Sequence, residues 1–219
     1  TEQPITQALK VGGTTNDVAQ NELYRSIKPE ADKQSGALVY KYKLNTPDGR
    51  NGVSPKLELQ YNSQNIKEGS IFGYGWDINI PFIQRKNVKG TEQMYSRNDY
   101  VSSIYGDLTN ISGNIYGPRV DDGSEPNISF INNVWVIKDK AGNIFTYGST
   151  ASARQDNATA TSNVFRWMLE KVEDVNGNIV SYIYYKNQGQ IYPDYITYTN
   201  TSTSTGKYKI VFNRAIRND

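Results

Sequence analysis

Carboxylates are the side chains in this 219-residue sequence best suited to chemistry, and three of them cluster at Asp121, Asp122 and Glu125. Carboxylates this close together can bind a metal ion or act as the acid and the base of a glycosidase. The cluster also surrounds Gly123 and precedes Pro126, which is typical of a solvated loop. We therefore favour a loop here over a metal or catalytic site.

The segment Asp174-Val-Asn-Gly-Asn178 resembles the beginning of a calcium-binding loop, because its oxygen-bearing side chains alternate along the chain. The usual calcium loop has Gly at its sixth position and a bidentate Glu at its twelfth. Here Gly177 stands at the fourth position and no such Glu follows. A plain turn is the better interpretation.

The segment Gly73-Tyr-Gly75-Trp76 contains the Gly-x-Gly of dinucleotide-binding loops. That motif needs a third Gly and a following helix, whereas an alternating strand pattern follows Trp76. We predict a tight bend with an aromatic ring packed over bare backbone. Exposed aromatic rings on a sheet can also bind sugars, and this stays an alternative.

Composition removes most enzyme classes. The chain has no Cys and no His, which excludes disulfides, thiol and histidine catalysis and the common zinc sites. With 24 basic and 22 acidic residues, it offers no general attraction for nucleic acid or an anionic membrane. We predict no catalytic residue, no cofactor and no metal. The first residues also lack the apolar stretch of a signal peptide.

The chain contains 17 Tyr, 18 Gly and 23 Asn, a composition typical of short strands joined by tight turns. Apolar residues alternate from Leu38 to Leu44 and again from Leu57 to Tyr61, which predicts an antiparallel hairpin. We expect Leu57, Leu59 and Tyr61 on its buried face, with Trp76 nearby. We expect Arg50, in the connecting turn, to bind loop carbonyls or a carboxylate.

An internal near-repeat indicates two equivalent hairpins. Asp139-Lys-Ala-Gly142-Asn143 returns 35 positions later as Asp174-Val-Asn-Gly177-Asn178, and each copy follows an apolar run. In such a turn Asp caps through its side chain, Gly takes a positive φ and Asn opens the return strand. We therefore predict a positive φ at Gly142 and Gly177.

The predicted fold is all-β, with antiparallel sheets built from consecutive hairpins and helix below about 15%. Residues 1–35 are predicted to be a polar arm or linker, irregular or partly helical near Val18 to Ile27. Residues 36–219 are predicted to form the β domain, which leads into Rhs/YD-like strand-turn-strand units. Between Thr91 and Ser129 the pattern weakens, and we expect short strands and loops there.

Taken together, these segments resemble the N-terminal domain of SpvB-like proteins, which also opens the B component of insecticidal toxin complexes. The resemblance covers residues 36–219, and its later part looks like the strand-turn-strand units of Rhs or YD repeats. The residues that carry it are Pro47, Gly49, Arg50, Gly52, Pro55, Gly73, Gly75, Trp76, Arg85, Gly142, Asn143, Trp167, Gly177 and Asn178.

The resemblance implies a non-catalytic part of an Rhs-type β-sheet shell that encloses a C-terminal toxin before delivery. Implied partners are the remaining Rhs/YD repeats, the toxin cargo and a pore-forming toxin subunit, without nucleic acid or membrane insertion. It also implies a secreted protein, of which this chain is expected to be a fragment with a strand edge that its parent covers. Any ADP-ribosyltransferase would lie in a separate C-terminal region.

Two other functions are considered. One is a cell-surface or secreted module that binds glycans or proteins through aromatic rings on an exposed sheet face. The other, weaker, is a carboxylate-based hydrolase. A shell wall should bury its rings in the sheet, a lectin should expose them, and a hydrolase should place two carboxylates about 5 to 9.5 Å apart in a cleft.

Overall fold

The computed structural model describes residues 5–6, 30–65 and 71–216. It is 51% strand and 6% helix, which confirms the all-β prediction. The strands are β1 (Ile5–Thr6), β2 (Glu30–Ala31), β3 (Leu38–Leu44), β4 (Leu57–Asn62), β5 (Trp76–Ile78), β6 (Phe82–Arg85), β7 (Tyr100–Ser102), β8 (Gly106–Ser112), β9 (Ile115–Pro118), β10 (Asn127–Ile131), β11 (Val134–Lys138), β12 (Ile144–Tyr147), β13 (Arg154–Asn157), β14 (Ala160–Glu173), β15 (Ile179–Asn187), β16 (Gln190–Asn200), β17 (Tyr208–Val211) and β18 (Ala215–Ile216).

Helical structure is short in the described residues: α1 (Thr91–Met94) and two 3-10 turns, Arg50–Gly52 and Ala151–Ala153. No helix in these ranges is long and apolar enough to cross a membrane. The helix expected near Val18 to Ile27 lies outside the described residues.

The chain forms two compact units. The first comprises Thr1–Thr46, Lys56–Asn79 and Phe212–Asp219, and the second comprises Pro47–Pro55 and Ile80–Val211. The second unit therefore includes the segment of chain that connects β3 to β4. The boundary expected at residue 36 stays a prediction.

The first unit contains a four-stranded antiparallel sheet in the order β2-β3-β4-β5. Strand β3 pairs with β4, as the alternation predicted, and Tyr40, Tyr61 and Trp76 lie side by side across three strands. Of the residues expected on a buried face, Leu57 is buried, whereas Leu59 and Tyr61 are half-buried. The alternation therefore predicted the strand pairing correctly but overstated the burial.

The second unit is built around a closed ring of eight strands. Strands β6, β7, β8, β9, β10, β11, β12 and β14 pair in this order, each antiparallel to the next, and β14 pairs back with β6. The long strand β14 makes this closure, since Arg166, Trp167 and Met168 pair with β6 while Leu169 to Glu173 pair with β12. No described edge remains within the ring.

Aromatic side chains form the core of this unit. Trp135 and Trp167 are fully buried, as is Tyr100. The Tyr100 and Trp135 ring centroids are 4.9 Å apart, and Phe130 stacks on Trp135 at 4.4 Å. The rings fill the core and contribute both buried area and edge-to-face attraction.

Strand β14 also pairs with β15, from which β16 and β17 continue as an antiparallel extension. One face of this extension is buried and includes Tyr182, Tyr184, Ile196 and Tyr198. The opposite face carries half-buried residues such as Ser181, Ile183 and Tyr195. Within the described residues, β17 pairs with β16 alone, and Tyr208 and Val211 on it are exposed.

Buried tyrosines should make the fold sensitive to alkali. Burial raises the pKa of Tyr147, Tyr182 and Tyr184 well above the usual value. The unfolded chain therefore loses these protons first, and the free energy of unfolding should fall as pH rises through about 10. Urea denaturation between pH 8 and pH 11 measures this.

The Tyr182→Phe variant tests whether a buried phenol group causes this loss of stability. The control is Tyr74→Phe, which changes an exposed ring. Tyr182→Phe should flatten the alkaline loss of stability, because the unfolded chain then has one less of these protons to release. Tyr74→Phe should change the free energy of unfolding by less than about 0.5 kcal/mol at pH 8, because the substitution is at an exposed position. A wild-type stability that does not vary over this pH range would contradict the burial of the phenol groups.

Candidate functional site

The loop Pro47–Pro55, which carries the motif most specific to the resemblance, has a backbone that requires glycine. A Cβ atom on Gly49 would lie 1.8 Å from the Val53 carbonyl oxygen. Asn51 and Gly52 both have positive φ, 56° and 74°. The Val53 N–H donates to the Arg50 carbonyl at 3.1 Å and closes the turn. The Gly and Asn residues of this motif therefore fix the loop conformation.

Two hydrogen bonds hold this loop against the rest of the second unit. The Tyr198 hydroxyl donates to the Pro47 carbonyl at 3.1 Å, and Asn51 Nδ2 donates to Asp174 Oδ2 at 3.3 Å. Arg50 is exposed, and among the described residues its guanidinium has no carbonyl or carboxylate partner. The contact expected of Arg50 is not found among the described residues; the neighbouring Asn51 side chain makes the hydrogen bond to Asp174. Pro55, at the end of the loop, is buried.

The two Asp-Asn turns have the same hydrogen bonds, as the repeat predicted. In the first, Asn143 N and Nδ2 donate to the two oxygens of the Asp139 carboxylate, both at 2.8 Å. In the second, Asn178 N and Nδ2 donate to Asp174 in the same way, at 2.8 Å each. The turn at Asp174 is therefore closed by its own amide groups rather than arranged as a calcium loop.

The second turn is the more buried, and its carboxylate is strongly stabilised. Asp174 and Asn178 are 8% and 5% exposed. Burial acts to raise the pKa of Asp174, but hydrogen bonds from Asn178, Asn51 and Asn176 outweigh it and lower the pKa from 3.8 to about 2. A low pKa here reflects structural hydrogen bonding, since the donors are the turn's own amides and the docked loop.

The glycines of these turns have the positive φ that was predicted, 87° at Gly142 and 76° at Gly177. Replacing Gly177 by Val should lower the free energy of unfolding by about 1 kcal/mol or more, because an L side chain is strained in this region. A Cβ atom at Gly177 would meet nothing within 4 Å, so backbone strain is the whole effect. Thermal and urea denaturation measure it.

The matched control is Val175→Ala, two residues before Gly177 in the same turn, where the side chain is 69% exposed. It should change stability by less than about 0.5 kcal/mol. Gly142→Val should cost at least as much as Gly177→Val, because its Cβ would also lie 2.7 Å from Val175 Cγ1. Equal melting temperatures for wild type and Gly177→Val would refute the strain argument.

The Gly73–Trp76 bend, in the first unit, is a packing feature. A Cβ atom on Gly75 would lie 2.5 Å from the Tyr61 ring. Gly73 has φ 100°. The Trp76 ring lies 5.3 Å from Tyr61 and 5.8 Å from Tyr40, and it is half-buried. These contacts confirm the predicted bend under an aromatic ring, and no helix follows that could hold a phosphate.

Arg85 contacts both the aromatic core and the backbone of two neighbouring segments. Its guanidinium donates from Nε to the Val164 carbonyl at 3.0 Å and from Nη1 to the Arg97 carbonyl at 2.7 Å. It also lies over the Tyr100 ring, 5.1 Å from the centroid, and over Trp167 at 5.7 Å. The sequence marked Arg85 and Trp167 as motif residues without predicting that they touch.

The three carboxylates of the acidic cluster take separate structural partners. Asp121 accepts from the Gly123 N–H at 2.9 Å, Asp122 accepts from the Ser124 N–H at 3.0 Å, and Glu125 pairs with Lys140 at 3.3 Å. All three are exposed. In the part of the chain that the structure describes, no three acidic side chains are close enough to hold a metal ion. This arrangement fits a solvated loop.

Two long-range contacts within the second unit were not predicted from the sequence. Trp167 Nε1 donates to the Asn133 carbonyl and side chain, both at 3.0 Å, and Asn51 reaches Asp174 across the fold. Asn133 has φ 66°, and Asn51 has φ 56°. Asparagine tolerates this backbone conformation. The abundance of Asn was a signal for turns, but nothing in the sequence identified the distant partners.

Comparison with solved structures shows the fold. The chain matches TcdB2-TccC3 with TM-score 0.69 and 20% identity, covering 82% of this chain and 10% of that one. It matches the N-terminal domain of the effector protein SpvB from Salmonella typhimurium strain LT2 with TM-score 0.61 and 20% identity, covering 76% of this chain and 66% of that one. It matches the Photorhabdus luminescens Tc holotoxin pore with TM-score 0.59 and 19% identity, covering 93% of this chain and 10% of that one.

This chain thus spans about a tenth of the length of the TcdB2-TccC3 and holotoxin chains that it matches. No curated protein sequence matches it. The sequence profile of the Salmonella virulence plasmid 65kDa B protein family matches residues 32–130 and 125–214. These two segments include most of the chain and all the residues that carried the resemblance. The chain therefore belongs to the SpvB family.

Proposed function

We propose that this chain is a non-catalytic structural domain of a toxin-complex protein, forming part of a β-sheet shell that encloses and helps to deliver a C-terminal toxin. The observation that carries the proposal is the likeness of its fold to TcdB2-TccC3 over 82% of the chain. The longer protein would be secreted. Its further Rhs/YD repeats, its cargo and a pore-forming subunit would be the partners.

The physical form of the second unit supports this role. Its ring of eight strands is filled by buried aromatic rings such as Trp135 and Trp167, so it forms a solid block. Among the described strands, the extension β15–β17 ends at β17, on which Tyr208 and Val211 are exposed. An open strand edge is a template for further pairing, and repeats of a longer protein would continue the sheet there.

The described side chains also favour a role without catalysis. The carboxylates at Asp121, Asp122 and Glu125 are exposed and occupied in turns or an ion pair. Asp174 is ionised by structural hydrogen bonds. General acid or base catalysis would need a carboxyl group with a raised pKa facing a substrate. We infer that toxicity belongs to another region of the longer protein.

Limited proteolysis of the longer protein tests the shell role, with protection of its C-terminal segment as the readout. Successive N–H groups of β17 point alternately toward β16 and away from it. Lys209→Pro and Ile210→Pro therefore remove one N–H of each kind. The variant that leaves the β16 pairing intact should keep the stability of the 219-residue chain but expose the cargo to protease in the longer protein.

Three results would contradict the proposal. One is a C-terminal segment that is as protease-sensitive in the wild type as in the isolated segment. Another is full protection in both proline variants. The third is hydrolysis of a polysaccharide by this chain that Asp121→Asn and Asp122→Asn abolish while the melting temperature stays unchanged.

A further inference from the structure

A wide, solvent-open cavity of about 530 Å³ lies on one face of strands β14–β16, beside the loop of residues 200–205. Its floor includes Lys171 on β14, Ile183 on β15, and Tyr195 and Thr197 on β16. These residues lie on the half-buried face of the extension, opposite the packed face. Sites for small molecules generally have volumes of roughly 300 to 1,000 Å³. The cavity is therefore large enough for one or two sugar units.

The lining of the cavity combines hydroxyl groups with apolar surface. Every loop residue from Thr201 to Thr205 carries a hydroxyl, and Ser181 and Thr197 add two more from the sheet. A hydroxyl donates one hydrogen bond and accepts two. Ile179, Ile183 and the Tyr195 ring supply the apolar part. This mixture fits a sugar, whose ring presents C–H groups on its faces and O–H groups around its edge.

The charge of the lining favours a neutral ligand. Lys171 is the one charged side chain among the residues that line the cavity. Its ammonium group lies 3.0 Å from Glu173 Oε2, so a carboxylate already compensates it. A phosphate or carboxylate ligand would have to compete with Glu173 for this cation. A neutral polyol would not.

Hydrogen bonds of the buried Asn200 side chain hold the loop beside the cavity. Asn200 is 6% exposed; its Nδ2 donates to Ser181 Oγ, Thr197 O and Thr197 Oγ1, and its Oδ1 accepts from the Gly206 N–H. Thr199 has φ 64°, a strained conformation for a β-branched residue. The network around Asn200 maintains this strain and fixes where the loop leaves the sheet.

The Tyr195 ring is fixed as well. The Lys209 ammonium lies 3.8 Å from the centroid of the Tyr195 ring, within the range of a cation–π interaction. Thr197 and Lys209 are direct partners in the pairing of β16 with β17. Backbone pairing and the cation therefore orient this ring before any ligand arrives.

We propose that this cavity binds a neutral saccharide, with the sugar against the face of the Tyr195 ring opposite Lys209 and its hydroxyl groups against the hydroxyls of residues 201–205. The chain then has a glycan-binding function in addition to its structural one. This inference does not depend on the shell role, because it rests on the cavity alone.

The test is saturation-transfer NMR on the 219-residue chain with the methyl glycosides of glucose, galactose, mannose and N-acetylglucosamine. Methyl glucuronide and inorganic phosphate are the charged probes. Tyr195→Ala should weaken binding of the best neutral glycoside by about tenfold or more. The loop variant Ser202→Ala/Thr203→Val should also weaken it, and it leaves the sheet untouched.

The matched controls lie outside the cavity. Tyr192→Ala removes a ring from the same strand and face, and Thr161→Val removes an exposed hydroxyl on β14. Both should bind like the wild type. No transfer to any neutral glycoside, binding that the loop variant leaves unchanged, or a preference for phosphate or glucuronide over the neutral sugars would each overturn the proposal. If Tyr195→Ala unfolds, the loop variant alone decides.

Discussion

Replacing Trp167 by alanine is expected to lower the free energy of unfolding by about 3 to 5 kcal/mol, because the ring is fully buried. Trp167 lies on β14 at the point where this strand pairs with β6 to close the ring. Its indole packs 5.5 Å from Phe130 and 6.2 Å from Trp135. Removing it leaves a cavity among rings that cannot collapse without breaking strand pairs.

The indole also makes polar contacts that a smaller residue would forfeit. Trp167 Nε1 donates to the carbonyl and side chain of Asn133, and the Arg85 guanidinium lies over the ring. Trp167→Phe keeps a ring but loses the donor, so we expect an intermediate loss of stability. Urea denaturation followed by circular dichroism gives all these values on one scale.

Two other aromatic positions serve as controls. Tyr74, 56% exposed, should change stability by less than about 0.5 kcal/mol on replacement by alanine. Trp76 is half-buried beside Tyr40 and Tyr61, so Trp76→Ala should cost less than Trp167→Ala. A Trp167→Ala chain as stable as Tyr74→Ala would show that the ring does not lie in the core.

The alternation of apolar and polar residues predicted the strands well, because it depends only on residues that are close together in the sequence. The alternating apolar positions of Leu38–Leu44 and Leu57–Tyr61 specified a hairpin, and a shift of one residue would have turned every side chain to the wrong face. The pairing of Tyr40 with Tyr61 is the register found. Where polar residues interrupted the pattern, as in β8 with its Asn and Thr residues, the strands were only loosely predicted.

Closure of the ring could not be predicted in the same way. The pairing of Ile83 with Trp167 joins residues far apart in the sequence, and it depends on the packing of the whole unit. The alternation within each strand says which face is apolar but not which strand lies beside it. The sequence therefore predicted hairpins, while the pairing of β6 with β14 required the structure.

At the turns the sequence predicted conformation but not interaction. Gly142 and Gly177 were correctly placed at positive φ because the Asp-x-x-Gly-Asn spacing determines the local hydrogen bonds. Arg50 was predicted to bind loop carbonyls or a carboxylate because its guanidinium carries several hydrogen-bond donors. Its long side chain is exposed, and the adjacent Asn51 contacts Asp174 instead. Which loop side chain reaches a distant partner depends on loop placement, which spacing does not encode.

The matched pair of turns allows a second large effect to be isolated. Asp174→Ala should lower the free energy of unfolding by about 1 to 3 kcal/mol, because it leaves the buried amide groups of Asn178 without their acceptor. It also removes the acceptor of Asn51, which docks the motif loop. Asp139→Ala is the control, since Asn143 is half-exposed and water can replace its acceptor; we expect a smaller loss.

The pH dependence of this difference identifies the ionised carboxylate as its source. The pKa of Asp174 is about 2 in the folded chain, against an ordinary value of 3.8. A depressed folded-state pKa stabilises the fold above the ordinary value, and this stabilisation is lost as pH falls toward about 2. The stability gap between wild type and Asp174→Ala should therefore be constant from pH 7 to pH 5 and shrink from about pH 4 to pH 2. A gap that stays constant down to pH 2 would mean that lost packing, and not the charged hydrogen-bond acceptor, explains the destabilisation.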